Sequence, residues 1–587
     1  MGKRWRFKPH DAARVARLER ASGLPPVVAQ LLVGRGIVEA DDARSFLESR
    51  LSGLRDPELL GGATAAAERI QQAIAAKRRI VVYGDYDADG MSGTAILYRC
   101  LQLLQADVGY YVPNRLDEGY GLNDDALRTL ASRGASMVIT VDCGIGSIQP
   151  ALVARELGLE LIITDHHDFG DALPEAAAIL HPRLPGAPYP FPGLCGAGVA
   201  LKLAWAICQR ASQAKKVSEP MRNFLMTAVG LAAIGTVADV VPLIDENRIL
   251  VRHGLVSLKE RPVPGLAALM QVAKLAEKAE LSSEDLAFTI APRINAAGRL
   301  GQAPLGIELM TTSQPERAQA LAEYLHELNN SRETLERSIY LAASQQIKED
   351  FDAVQDPALV LAGRGWHAGV IGIVAGRLAE KYHRPVVLIA FDSLGAKPGI
   401  GSARTAGGLD LHAALADCGE HLLSHGGHAA AAGLKIQEAN VPAFRAAFCE
   451  HAASRIGPEQ REAELSIDAE AAFSQLTLEI VQQIGRLEPF GAGNPRPLLM
   501  TSDVQLVEPP RRIGSGERHL SLRLAHHGLR LRAVAFGQGE WCDEIAQCPT
   551  SIDIAYRPVI NEFQGRRNVE LHLVDWRPSR VPATATS

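Results

Sequence analysis

Asp85, Asp87 and Asp89 alternate in the run Asp85-Tyr86-Asp87-Ala88-Asp89-Gly90, directly after the apolar, β-prone Ile80-Val81-Val82-Tyr83. Carboxylates this close repel one another unless a cation or protons neutralise them, and hard divalent cations such as Mg²⁺ and Mn²⁺ take oxygen ligands. A calcium loop of the EF-hand type opens with the same D-x-D-x-D-G. It needs a Glu at its twelfth position, which is Ile96 here, and a helix in front, where this chain has a strand. The pattern reads as half of a metal site, delivered at the C-terminal end of a strand.

The other half recurs at the same kind of place. Val138-Ile139-Thr140-Val141 ends at Asp142, followed by Cys143-Gly144, and Leu161-Ile162-Ile163-Thr164 ends in Asp165-His166-His167-Asp168. Helix-like segments over 92–104, 123–133 and 148–157 separate these strands, the alternation expected of a parallel sheet flanked by helices. Ligands of such sheets bind beyond the carboxyl ends of the strands. A further carboxylate, Asp239, follows the almost wholly apolar stretch 224–238, which is shorter than the ~20 residues of a membrane span and reads as a buried helix. A buried Asp needs a partner: an Arg, a helix-terminal hydrogen bond or, given the acidic cluster, a metal.

These four segments, with Gly235-Thr236-Val237-Ala238-Asp239 as the last, resemble the motifs of the DHH phosphoesterase superfamily. Further stretches narrow the resemblance to its RecJ family, bacterial 5′-to-3′ exonucleases specific for single-stranded DNA. They are Pro113-Asn114-Arg115 with Glu118-Gly119-Tyr120-Gly121-Leu122, Ala291-Pro292-Arg293-Ile294-Asn295-Ala296-Ala297-Gly298-Arg299 and Gly401-Ser402-Ala403-Arg404. Gly426-Gly427-His428-Ala429-Ala430 and Pro489-Phe490-Gly491-Ala492-Gly493-Asn494-Pro495 complete the set.

The resemblance implies phosphodiester hydrolysis with two divalent cations, Mn²⁺ or Mg²⁺, which ~3.5–4 Å apart lower the pKa of a bound water and clamp the phosphoryl oxygens. It implies that Asp142 bridges the ions, that Asp87 serves one, and that Asp89, His166 and Asp239 complete the other, with Asp85 a direct or indirect partner. His167 is implied to polarise the scissile phosphate or protonate the leaving oxygen, the alternative being a histidine that orients a neighbouring carboxylate. Tyr83 stands where some members carry a metal-binding His and is a poor ligand for these ions. Arg115, Ser402 and Arg404 are implied to hold a 5′ phosphate, Asn295 and Arg299 to contact the backbone, and His428 to bind substrate. The expected partners are single-stranded DNA with a 5′ end, a single-stranded-DNA-binding protein and a helicase, with the chain itself a monomer. Two alternatives stay open: another DHH phosphoesterase, acting on a cyclic dinucleotide, short RNA or pyrophosphate, or a non-catalytic DHH-like scaffold.

The 587 residues carry a formal net charge of −6, with 47% hydrophobic and 22% charged residues. This composition is that of a soluble globular protein, and local patches rather than net charge decide nucleic-acid binding. Eight cysteines without a C-x-x-C pair, and no signal-peptide pattern, read as reduced thiols of a cytoplasmic protein with no membrane association.

The expected fold is α/β. A helical lead-in over 1–58 precedes a parallel-sheet DHH domain over 59–264, a helical connector over 265–350, a second α/β, DHH-associated domain over 351–456 and an OB-fold β-barrel over 457–580. The connector carries Ser313 and Glu316 as a capping box, Pro315 in the first turn and a stripe of Leu321, Leu325, Leu328, Leu335 and Ile339. Six arginines and a single acid lie between Arg511 and Arg532, and alternation on a strand lets Arg530 and Arg532 form a cationic stripe.

Overall fold

The computed structural model describes residues 3–114, 118–119, 121–352, 356–394, 397–457 and 463–579. The chain divides into two compact units, one of residues 51–462 with 491–493, the other of residues 1–50, 463–490 and 494–587.

In the first unit, five parallel strands run in the spatial order Val108–Tyr111, Ile80–Gly84, Met137–Val141, Glu160–Thr164 and Ala178–Leu180. Ile80–Gly84 and Met137–Val141 are buried along their whole lengths, which is why they read as continuous apolar runs rather than alternating ones. The chain leaves Ile80–Gly84 toward Val108–Tyr111 and then returns to the other side at Met137–Val141. That reversal opens a crevice at the C-terminal ends of two adjacent strands. Their last paired residues are Gly84 and Val141, so Asp85 and Asp142 both emerge into it.

The helix expected before Asp239 is Glu219–Ala238. It is long and apolar enough to cross a membrane, yet Ala228 to Val237 are buried inside the protein. One apolar core extends from Leu60 to Leu325, so the helices after Pro264 share it with the parallel sheet. The connector is a single helix, Pro315–Asp350, whose stripe is anchored by buried Leu321, Leu325 and Ile339. Its expected capping box does not form. Gln314 takes the cap position without a side-chain hydrogen bond, and its amide donates instead to Thr312 Oγ1 at 3.3 Å. With Pro315 at the first helical position, the helix starts too late for Ser313 to cap it.

The second sheet of this unit is mixed, in the order Ser424–Gly427, Ala431–Ile436, Gly399–Arg404, Val386–Phe391 and Leu359–Arg364. The helix Ala368–Tyr382 connects its only parallel pair among the described strands and packs on it.

The other unit is built on seven strands, from Ala469–Glu470 to Arg566–Pro578, with Leu499–Leu506 also pairing to His519–His526 to close the barrel. The N-terminal segment is part of this unit. Arg4–Phe7 pairs in parallel with Glu464–Ile467, and Leu18, Val28, Leu31 and Leu32 enter the barrel's core. The expected cationic stripe is broken, because Arg532 Nη1 pairs with Glu570 Oε2 at 2.8 Å while Arg530 stays exposed.

Leu325→Ala empties a fully buried position on the connector helix and should lower stability by about 2–5 kcal/mol, read as a fall in the urea midpoint followed by circular dichroism.

Candidate metal centre

Asp87 caps the helix Ala88–Leu103, its Oδ1 accepting from the amides of Asp89 (2.9 Å) and Gly90 (3.0 Å). Asp89 lies in the first turn of that helix and is turned into the protein. Its Oδ2 accepts from Gly196 N at 2.7 Å and its Oδ1 from Ala197 N at 2.9 Å, at the start of the helix Gly196–Ser212. A helix N-terminus stabilises negative charge, so two helix starts serve this one pair of acids. The fit leaves no room for side chains. A Cβ on Gly235 would lie 2.3 Å from Asp89 Oδ1, and one on Gly196 would lie 2.5 Å from Asp142 Oδ1.

Asp142 has φ 64°. This left-handed conformation costs roughly 1–2 kcal/mol for most L-residues, and Asp visits it more readily than most. Its carboxylate is nearly inaccessible. Around it, one ligand atom from each of Asp142, His166 and His167 can come within 4.8 Å of the others, as can Asp85, Asp87 and Asp142, and Asp89, His166 and Asp239. Asp142 belongs to the first two groups, and His166 joins the first to the third. His166 Nε2 is the point of convergence, 3.0 Å from Asp142 Oδ1, 3.6 Å from Asp239 Oδ2 and 3.9 Å from Asp89 Oδ2. It is buried and makes no hydrogen bond. All six residues expected to hold metal are therefore brought together: Asp85, Asp87, Asp89, Asp142, His166 and Asp239.

Asp165 does different work. Its Oδ1 accepts from His166 N (2.7 Å), His167 N (3.1 Å) and His167 Nδ1 (2.8 Å), and its Oδ2 from Ile145 N (2.9 Å). A carboxylate given four donors is a scaffold for the turn rather than a ligand. Tyr83 is likewise structural. Its hydroxyl donates to Gly121 O at 3.0 Å and accepts from Asn123 Nδ2 at 3.2 Å, and burial raises its pKa.

The electrostatics favour a cation. Burial and then the charge of Asp87 push Asp89 up to about 6; burial and then Asp89 push Asp239 up to about 8. Burial and the surrounding aspartates, Asp89 first, also raise Asp142. Burial drops His166 to about 3, leaving a neutral imidazole. Burial lowers His167 too, but the hydrogen bond and charge of Asp165 outweigh it and raise the ring to about 9. Five carboxylates and a neutral imidazole nitrogen form a mixed oxygen and nitrogen donor set suited to Mn²⁺ or Mg²⁺. An orphaned buried nitrogen among acids that cannot all ionise fits divalent cations and little else.

The residues expected to contact substrate divide. Arg115 lies outside the described residues. Asn295 sits at the metal loop, its Oδ1 accepting from Ala88 N at 2.7 Å. Gly298, on the same helix Ala291–Arg299, lets it approach, since a Cβ there would lie 1.8 Å from Tyr86 O. Arg299, Ser402 and Arg404 gather around the first turns of Ala368–Tyr382. A Cβ on Gly369 would lie 2.4 Å from Arg299 O, and one on Gly372 would lie 3.0 Å from both Ser402 Oγ and Arg404 Nη2. Arg404 Nη1 donates to Ser402 Oγ at 3.0 Å, and His367 caps the helix by accepting from Gly369 N at 3.1 Å. His428 is exposed beyond Ser424–Gly427, and its charge helps Arg183 hold Asp168 below the usual carboxylate range.

Sequence reading missed the Gly196 and Ala197 amides, His367 with its two glycines, and His181 and Arg183. The glycine-rich starts Cys195-Gly196-Ala197-Gly198 and Trp366-His367-Ala368-Gly369 are the signals that carry the first two.

Protonated Asp89 and Asp239 are poor ligands, so cations must displace their protons. As pH falls from above 8 through 6 the apparent Mn²⁺ affinity should drop, and proton release should accompany binding. Titration calorimetry in buffers of different ionisation enthalpy measures both.

Comparison with known proteins agrees with this geometry. Residues 79–235 match the DHH family, N-terminal domain; 355–454 match the DHHA1 domain; 467–575 match the RecJ OB domain. The single-stranded-DNA-specific exonuclease RecJ of Bacillus subtilis is 36% identical over 97% of this chain and 70% of its own length. That of Escherichia coli is 34% identical over 93% of this chain and 95% of its own. The crystal structure of Thermus thermophilus RecJ in complex with Mn²⁺ has a TM-score of 0.83 at 32% identity, covering 98% of this chain and 80% of that one. Its complex with Mg²⁺ gives 0.77 at 31% identity, covering 98% and 79%. The chain therefore belongs to the RecJ family of single-stranded-DNA-specific exonucleases.

Proposed function

We propose that this chain hydrolyses single-stranded DNA from its 5′ end, releasing mononucleotides, in recombination and repair. The observation that carries the reading is the convergence of all six ligand residues around His166 Nε2 and Asp142 in a chain of this family. Asp142 would serve both ions, Asp85 and Asp87 one of them, and Asp89, His166 and Asp239 the other. Bound there, the cations supply a low-pKa water as nucleophile and neutralise charge growing on the phosphoryl oxygens.

The chain's own residues do the rest. His167, kept protonated near neutrality by Asp165, donates a proton to the leaving oxygen. Arg404 and Ser402, with Arg115, hold the terminal phosphate against the start of Ala368–Tyr382, where helix amides add positive potential. Arg299 and Asn295 guide the backbone, and His428 closes on the substrate from the second sheet. The scaffold alternative loses support because none of the six ligand residues is missing. Eight free cysteines, six of them buried, fit a reducing cytoplasm. A monomer working with a helicase and a single-stranded-DNA-binding protein fits that setting.

The decisive experiment digests end-labelled single-stranded DNA, duplex DNA and RNA with Mn²⁺ or Mg²⁺. Mononucleotides released from the 5′ end of single-stranded DNA alone support the proposal, while cleavage of RNA or short dinucleotides in preference would sink it. Asp142→Ala should abolish cleavage while leaving the circular dichroism spectrum intact. Arg404→Ala should raise KM about 10-fold or more for 5′-phosphorylated strands, as expected for a lost charge-assisted contact, and far less for strands with a 5′ hydroxyl. Equal effects on both would remove Arg404 from the phosphate cradle.

A further inference from the structure

The turn Asp165-His166-His167-Asp168 is held from behind by the end of the edge strand Ala178–Leu180. His181 Nε2 lies 2.8 Å from His167 O, and Arg183 Nη2 donates to His166 O at 2.6 Å. Arg183 N donates to His181 Nδ1 at 3.0 Å, which assigns the proton to Nε2 and makes that nitrogen the donor to His167 O. His181 is fully buried, with Phe169 edge-on to its ring at 4.9 Å. Arg183 Nη1 pairs with Asp168 Oδ1 at 2.5 Å, which orients the guanidinium.

Peptide units are planar, so fixing successive planes fixes the dihedrals between them. Asp165 holds the amides of His166 and His167. Arg183 and His181 hold the following carbonyls. Three consecutive peptide planes are thereby pinned, and the two histidine side chains are left only their own side-chain torsions.

We propose that Arg183 and His181 are positioning residues, Arg183 setting His166 for metal binding and His181 setting His167 for its part in the hydrolysis. The proposal rests on the roles given above to those two histidines. Arg183 acts on the residue whose Nε2 faces Asp142, Asp239 and Asp89. His181 acts on the residue held by Asp165.

The test uses the full chain with Arg183→Ala, Arg183→Lys, His181→Phe and His181→Gln. Mn²⁺ binding is measured by calorimetry without DNA, turnover at saturating Mn²⁺ on a 5′-phosphorylated oligothymidylate, and melting by circular dichroism. Arg183→Ala should weaken Mn²⁺ binding about 10-fold, the scale of a lost outer partner, with turnover at saturation little changed; Lys should restore part of the affinity. His181→Phe should lower turnover about 10- to 100-fold with Mn²⁺ affinity little changed. Gln, which keeps an N–H donor, should recover most of it. Unchanged behaviour in both positions overturns the proposal. So does a parallel loss of affinity, turnover and melting temperature, which is what a merely structural role produces. If the unsubstituted chain binds Mn²⁺ but leaves single strands uncut, the nuclease reading fails by itself, and the calorimetric arm still decides Arg183.

Discussion

Mutual repulsion among buried carboxylates is the constraint to which the first unit is built. Asp89, Asp142 and Asp239 are all held above the usual carboxylate range by burial and by neighbouring aspartates, Asp87 among them in each case. Water cannot screen them, so the surroundings must supply positive potential. Two helix N-termini do so, the start of Ala88–Leu103 and the Gly196 and Ala197 amides that open Gly196–Ser212, without adding a lysine or arginine that would compete for the site. Gly196 and Gly235 leave just enough room for the acids between packed helices, so the cradle's shape and its charge come from the same close packing.

A second consequence is the separation of charge within the unit. The acids emerge from the parallel sheet, while Arg404, Ser402 and Arg299 collect at the start of Ala368–Tyr382. Carboxylates thus gather in one cluster and guanidinium groups in another. The net charge of −6 averages over this arrangement and conceals it.

The strand ends and the residues that cluster beyond them were legible because most are written locally: an apolar run, then a carboxylate. Asp239 was legible only through its odd context at the end of an apolar helix. What stayed hidden depends on which partners the folded backbone and side chains present, some of them neighbours in sequence and some distant. Asp165 looks like another ligand until its four N–H donors are seen. Ser313 and Glu316 carry capping spacing, yet Pro315 moved the helix start. Arg532 has the alternation of a phosphate contact, but Glu570, on the adjacent strand, takes it. His181 and Arg183 carry no motif, since their function is to reach two backbone carbonyls.

The parallel pairing of Arg4–Phe7 with Glu464–Ile467 bears on how the chain is made. The first fifty residues emerge from the ribosome early, but their apolar face finds its core only among residues beyond 463. At ~5–20 residues per second that wait lasts roughly 20 to 80 seconds. The intervening unit can collapse in the meantime, whereas Val28, Leu31 and Leu32 stay without a home. Synthesis thus leaves this apolar face without its core for most of its course.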